Sequence, residues 1–242
     1  MADSPSRTVL VTRPEPGLSD TCEALRRLGW EPHLSPMLRI SPIPMKPVGK
    51  IDRIIVTSGQ SLESLCSGIP LSTPLTAVGA RTAERARMMG FTTVDHASGT
   101  AHSLLDHLGH TEKPHRLLLA TGRNLGNDLA NRLRGMGWQV TRRVVYRSQP
   151  VGPLDSSSRS LIEKGHVAAI LFYSAATARA FLDAFGPERS LLESVRALAL
   201  SPHIGETLRT APFRKIDIAS TPEQQALLAL LGPLPGTDHT EA

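Results

Sequence analysis

The stretch VLVTRPEPGLSDTCEALRRLGW, Val9–Trp30, decides how the rest of the chain is read, because the chain writes it twice. LLLATGRNLGNDLANRLRGMGW, Leu117–Trp138, lies over it without a gap. Leu10 returns as Leu118, Asp20 as Asp128, Leu25 as Leu133, Arg26 as Arg134, Gly29 as Gly137 and Trp30 as Trp138. Each copy is a short apolar run, a polar turn and a helical pattern closed by glycine. A short apolar run bounded by turn residues suits a buried parallel strand, and glycine after the last periodic residue is a helix stop.

The echo continues in order. RIIVTSGQSLESL (Arg53–Leu65) is answered by AILFYSAATARAF (Ala169–Phe181), each an apolar run reaching a serine, Ser58 or Ser174, before a helix. A third pair starts at Ala77 and Ala199 and agrees at Glu84/Glu206, Arg87/Arg209, Phe91/Phe213, Ala97/Ala219, Ser98/Ser220 and Leu105/Leu227. Three matches in the same order make an internal duplication. The first half reads as strands 8–13, 32–38, 53–57, 75–79 and 92–95 with helices 18–29, 60–67, 80–89 and 100–109. The second reads as strands 116–120, 139–146, 167–173, 195–200 and 214–218 with helices 125–136, 175–184, 203–210 and 222–231. Gly29, Gly90 and Gly137 fall at helix C-caps, and Pro222 after Thr221 reads as a first helical residue. The prolines of SPMLRISPIPMKPVG mark an extended crossing, and PLPGTDHTEA a frayed tail. Alternating strand and helix in two copies predicts two doubly wound α/β domains.

Composition narrows the function. A length of 242 residues suits two domains, and 40% hydrophobic with 20% charged residues is globular. No apolar run approaches the ~20 residues of a membrane helix, and the start of the chain lacks the basic-then-apolar pattern of an export signal. Cys22 and Cys66 have no metal-like spacing and read as reduced core or near-surface thiols, which points to the cytoplasm. The net charge of +5 comes mostly from arginine, 22 of the 27 basic residues, and suits planar carboxylate or phosphate partners. With 4% aromatic residues and no basic block, stacking platforms for nucleic acid are scarce.

Ligands of open α/β sheets collect beyond the carboxyl ends of strands, where helix N-termini offer free N–H groups. Small or hydroxyl residues recur at those corners: TRPEPG (12–17), TSGQS (57–61), VGARTA (78–83), SGTAHS (98–103), TGRN (121–124), YSAAT (173–177), SPHIG (201–205) and STPE (220–223). Helix capping alone also calls for such residues. A P-loop, GxGxxG, GxSxG, HExxH and any Cys/His metal set are missing, and His102, His107 and His110 read as surface positions. The pattern favours binding, or catalysis by positioning and hydrogen bonding without a cofactor. Tyr146 in VTRRVVYRSQP, one of two tyrosines, is either a buried anchor or a hydrogen-bond donor to a leaving group.

VLVTRP, IIVTSGQS, AVGARTAERARMMGF, SGTAHSLLDHL and LRGMGWQVTRRVVYRSQP, in this order and spacing, resemble the uroporphyrinogen-III synthase family, from about Thr8 to Leu231. The resemblance implies two similar flavodoxin-like domains with doubly wound parallel sheets, joined by two extended crossing strands near Leu38–Pro44 and Val144–Val151. The first domain is then residues 1–38 plus 149–242 and the second 39–148, so each copy of the opening stretch completes the other half's domain. The implied reaction is cyclisation of the linear tetrapyrrole hydroxymethylbilane, with loss of water and inversion of ring D, and without metal or cofactor. Family likeness assigns Tyr146 to assist hydroxyl departure and Arg13, Ser58, Thr82, Gly122, Ser174 and Ser201 to the substrate; Arg123 and His203, at the same corners, are counted as substrate-binding with them. The chain departs from the family pattern with His203 and Ile204 where Thr or Ser is common, and with Arg123 where many members have a basic residue nearer Gly126. The expected form is a cytoplasmic monomer that binds this small molecule and neither nucleic acid nor membrane. The alternatives are a non-catalytic two-domain module binding a polyanion, and an α/β transferase using a nucleotide sugar.

Overall fold

The computed structural model describes residues 6–46, 48–113 and 115–234. Most of the stretch read as a frayed tail, from residue 235 on, lies outside the described residues. The chain divides into two compact units, Met1–Arg39 with Gln149–Ala242, and Ile40–Ser148.

The first unit holds β1 (Thr8–Val11), β2 (Glu31–Leu34), β9 (Ala169–Phe172), β10 (Arg196–Ala199) and β11 (Lys215–Ile218). They form one parallel sheet in the order β11-β10-β9-β1-β2. The second unit holds β4 (Arg53–Val56), β5 (Leu75–Ala77), β6 (Val94–His96) and β7 (Arg116–Gly122), with β3 (Leu38–Pro42) and β8 (Gln139–Pro150) running across the two unit boundaries. Its sheet order is β3-β8-β7-β4-β5-β6, parallel from β8 to β6. In both, the strand of the repeated opening stretch lies between the next strand in sequence and the strand of the second repeated pair: β1 between β2 and β9, β7 between β8 and β4. That is the doubly wound order 2-1-3-4-5.

The duplication is therefore structural. Helix α1 (Gly17–Arg27) and helix α5 (Asn127–Gly135) occupy equivalent places and end alike. Gly29 and Gly137 adopt φ of 81° and 92°. The N–H groups of Trp30 and Trp138 reach back to the carbonyls of Leu25 and Leu133 at 3.0 and 3.2 Å, closing the terminal carbonyls. In the third pair, Ala97 N–H bonds Ala77 O at 3.0 Å and Ala219 N–H bonds Ala199 O at 2.9 Å.

Strand alternation builds a core on each sheet face. Leu10 joins Ile170 and Phe172 on one face of the first sheet, while Val9 and Val11 join Leu171 and Leu198 on the other. In the second sheet Ile54, Val56 and Leu118 face one way and Ile55, Leu117 and Leu119 the other. Because both faces are covered, the inner strands β1, β4, β7, β9 and β10 carry runs of consecutive apolar residues instead of alternating with polar ones.

The helices are α2 (Leu62–Cys66), α3 (Ala80–Met88), α4 (Ala101–Leu108), α6 (Ser156–Glu163), α7 (Ala175–Phe185), α8 (Pro202–Leu208) and α9 (Gln224–Ala229), besides α1 and α5. Three features differ from expectation. Helix α6 was not anticipated, because four serines and only two large apolar residues give it a weak helical pattern; Asp155 starts it by accepting the Ser158 N–H at 2.9 Å. Helix α9 begins two residues later than expected, with Glu223 at its N-cap, so Pro222 precedes the helix. The strand expected over 32–38 splits into β2 and β3, with Ser35 and Met37 donating their N–H groups to Val11 and Thr12 carbonyls between them.

Candidate active site

In the second unit the corner after β7 is shaped by a bulge. The β7–β8 register pairs Thr121 with Val144 but Gly122 with Tyr146, leaving Val145 extra. The Val145 carbonyl is taken up by the Ile43 N–H at 2.8 Å and the Ser64 hydroxyl at 2.6 Å. The bulge sets the Tyr146 ring on Gly122 so closely that a Cβ there would lie 2.6 Å from ring carbons and 2.9 Å from the phenolic oxygen. Only glycine permits this approach.

The Tyr146 hydroxyl stands against the Gly122 backbone and beside Ser58. Ser58 is also the N-cap of the short 3-10 turn Gly59–Ser61, accepting the Gln60 N–H at 3.3 Å. Burial pushes the phenol above its ordinary pKa, and the polar groups of Ser58 and the Gly122 backbone only partly oppose it. The side chain is 5% exposed. It is a neutral proton donor at any physiological pH. Both readings of Tyr146 thus have support: it is anchored, and its hydroxyl sits at the corner.

Arg123 follows with its N–H on the Tyr146 carbonyl at 3.0 Å and its side chain exposed. The turn continues through Asn124 at φ 63° and Gly126 at φ 79°, and α5 starts without a side-chain cap. Helix α3 likewise starts at Gly79 without one; Gly79 packs on Gly99, whose N–H bonds Val78 O at 2.7 Å. Thr82 is half-buried within the first turn of α3.

In the first unit the corner after β1 is built on Arg13. Its guanidinium lies against the Gly17 backbone and 4.1 Å from the Tyr173 ring centre, and donates to Thr21 Oγ1 and Gln224 Oε1 at 3.3 and 3.4 Å. Thr21 lies 3.4 Å from the Tyr173 hydroxyl and 3.0 Å from Gln224. Beside this group Ser174 caps α7, accepting the Thr177 N–H at 3.1 Å. Ser201 stands at the N-cap of α8 without a side-chain cap bond. His203 is exposed, 3.7 Å from Glu206. Among the described residues no group of three or more His, Cys, Asp or Glu is placed to hold a metal ion, and no helix is long and apolar enough to cross a membrane. Cys22 and Cys66 are free thiols, each pushed up in pKa by burial.

Residues 19–229 match the family model described as Uroporphyrinogen-III synthase HemD. The chain belongs to the uroporphyrinogen-III synthase family. Membership makes it an enzyme, a hydro-lyase of tetrapyrrole biosynthesis, acting on a tetrapyrrole substrate. Solved structures of the same description share the fold. Uroporphyrinogen-III synthetase from Helicobacter pylori is 19% identical with a TM-score of 0.65, covering 93% of this chain and 97% of its own. A mutant uroporphyrinogen III synthase from Thermus thermophilus is 20% identical with a TM-score of 0.51, covering 92% and 96%. No curated protein sequence matches the chain.

Of the residues assigned to the site, Ser58, Gly122, Arg123 and Tyr146 meet at one corner, and Arg13 and Ser174 flank another. Thr82, Ser201 and His203 make no contact with either group among the bonds described. Sequence reasoning missed Thr21, Tyr173 and Gln224. Tyr173 was within reach, because it is the other tyrosine of the chain and directly precedes Ser174 in the repeated corner.

Proposed function

We propose that the chain cyclises hydroxymethylbilane, with loss of water and inversion of ring D, to give uroporphyrinogen III. The observation that carries the residue-level reading is the protonated, buried Tyr146 phenol, set against Gly122 and beside Ser58. The hydroxymethyl C–O bond breaks and its oxygen must leave as water, which needs one proton. Tyr146 is the donor, and Ser58 and the Gly122 amide steady the oxygen it leaves behind. The proton is returned when the pyrrole carbon that forms the closing bond regains aromaticity, so substrate equals product plus water.

The remaining work is positioning. Spontaneous closure gives the uninverted isomer, so the protein has to hold a flexible chain in one folded shape while the reactive end closes. The residues proposed to meet the substrate's carboxylates are Arg13, Ser58, Thr82, Gly122, Arg123, Ser174, Ser201 and His203. Helices α3, α5 and α8 begin without a side-chain cap bond, which supports this. Arg13, held flat by Tyr173, Thr21 and Gln224, supports a bidentate carboxylate contact. The working form in this reading is a cytoplasmic monomer.

The test supplies enzymatically made hydroxymethylbilane and separates the oxidised products by isomer. Uroporphyrin III is the expected product. Accumulation of isomer I at the spontaneous rate overturns the reading in favour of a non-catalytic binder.

A further inference from the structure

The unit Ile40–Ser148 carries an open cavity of about 610 Å³ that belongs to neither corner. It is lined by Lys50, Ile51, Arg116, Arg134, Trp138 and Arg143, with the start of β8 as its floor. The cavity takes in the first residue of β7, whereas the Tyr146 corner uses the last, Gly122. At ~3.3 Å per residue these are about 20 Å apart along the strand.

Its charge is one-sided. Four cations line it and no carboxylate does. None of the four makes a salt bridge among the described residues. Arg134 instead donates to Asn131 Oδ1 and to the Val140 carbonyl, both at 3.0 Å, which holds its fork in place without neutralising it. Asp52, the acid next to Ile51, is engaged elsewhere: it accepts the Arg116 backbone N–H at 2.9 Å. That bond first, and then the charges of Lys50 and Arg116, hold its carboxyl below the usual range. Trp138 is fixed by its indole N–H on the Gly109 carbonyl at 2.9 Å and by the His115 ring 5.8 Å away. Like charges gathered around one concavity repel one another, and a multivalent anion relieves that repulsion.

We propose that this cavity binds a small organic polyanion, carboxylate or phosphoryl, through Lys50, Arg116, Arg134 and Arg143, with its carbon body against Trp138 and Ile51. Arginine forks suit the planar geometry of either oxyanion, and the volume lies in the range of small-molecule sites. The assignment does not rest on the reaction proposed above, since it uses none of the corner residues.

The experiment titrates the whole protein with inorganic tripolyphosphate and, separately, with benzene-1,2,4,5-tetracarboxylate, following the two tryptophan indole N–H signals by NMR. The expected result is a saturable shift of the Trp138 signal with Trp30 unmoved, for one or both probes. Response to tripolyphosphate alone assigns a phosphoryl ligand, and response to the tetracarboxylate alone a carboxylate one. An R116S/R143S variant that keeps native signal dispersion should bind roughly tenfold or more weakly. Arg132→Ser, on the same helix as Arg134 but outside the lining, should bind as wild type. No saturable shift up to about 10 mM of either probe, or equal weakening by Arg132→Ser, overturns the proposal.

Discussion

Gly122→Ala is the substitution that most directly probes the Tyr146 corner. Gly122 has no left-handed φ, so alanine is acceptable to the backbone itself. The cost comes from the neighbour: the new methyl would stand 2.6 Å from two carbons of the Tyr146 ring and 2.9 Å from its oxygen. Carbon atoms in ordinary contact sit at about 3.5–4.0 Å, so the ring has to retreat by about 1 Å. Tyr146 is buried among Ile54, Val56, Leu62 and Leu118, with little room to do so. Overpacking of this kind costs about 1–3 kcal/mol, a fall in Tm of a few degrees for a chain of this size. The same 1 Å moves the phenol off Ser58, and displacement of that order can cost about 100-fold in turnover. The assay measures kcat for isomer III formation in wild type, Gly122→Ala, Tyr146→Phe and the double variant, with a melting curve for each. Tyr146→Phe alone should lose about 100-fold or more in kcat with little change in Tm. In its background Gly122→Ala should still lower Tm, because the ring remains, but should lower kcat no further. If the two losses of kcat multiply instead, the glycine does not act through the hydroxyl. If Gly122→Ala melts and turns over as wild type, the ring does not lie where the argument needs it.

Other outcomes follow from the same geometry. Arg13→Lys should raise KM about tenfold or more while leaving Tm nearly unchanged, because a lysine keeps the charge but loses the fork held by Thr21, Gln224 and Tyr173; steady-state kinetics checks it, and an unchanged KM removes Arg13 from the substrate. For Asp155, burial pushes the carboxyl up, but hydrogen bonds from Ser157 and Ser158 outweigh it and bring the pKa down from 3.8 to about 2. A folded pKa below the unfolded one stabilises fully above about pH 4 and fades as the pH falls toward 2. Urea midpoints should therefore drop over that window in wild type and less in Asp155→Ala, which also forfeits about 0.5–2 kcal/mol of helix cap at neutral pH; identical pH profiles would refute this. Gly137→Ala places a Cβ against the Thr111 carbonyl at φ 92° and should destabilise by more than about 1 kcal/mol. Gly135→Ala, at the last residue of α5 with open space around it, should stabilise by up to roughly 0.5–1 kcal/mol. A chemical denaturation pair that ranks them the other way contradicts the helix ending described above.

The duplication was legible because it was written in residues that a fold cannot easily replace. Gly29 and Gly137 are needed at left-handed φ, Leu25 and Leu133 are fully buried, and Trp30 and Trp138 close the same helix end. Those positions survive divergence together, so they line up without a gap when little else does. Helix α6 was illegible for the opposite reason. It rests on one carboxylate cap and on Ser158 buried against its own N-terminus, and neither leaves an apolar period to read.

The corner around Tyr146 shows why a site is harder to read than a sheet. The stretch VTRRVVYRSQP gives no hint that Val145 is the extra residue, because a bulge is decided by pairing with another strand. Its carbonyl needs Ile43 and Ser64, far away in sequence, to be satisfied. Shift the register back by one residue and Val145, not Tyr146, would oppose Gly122, with the phenol turned to the other face of the sheet. The glycine is thus meaningful only through the bulge, and the bulge only through the crossing strand that supports it. The Arg13 group is similar: Gln224 lies more than two hundred residues away in sequence and enters because β1 and the helix after β11 end up in one unit. A single sequence shows which residue types stand at strand ends. Which of them meet is set by sheet order, and here that order follows from one stretch being copied and each copy completing the other half of the chain.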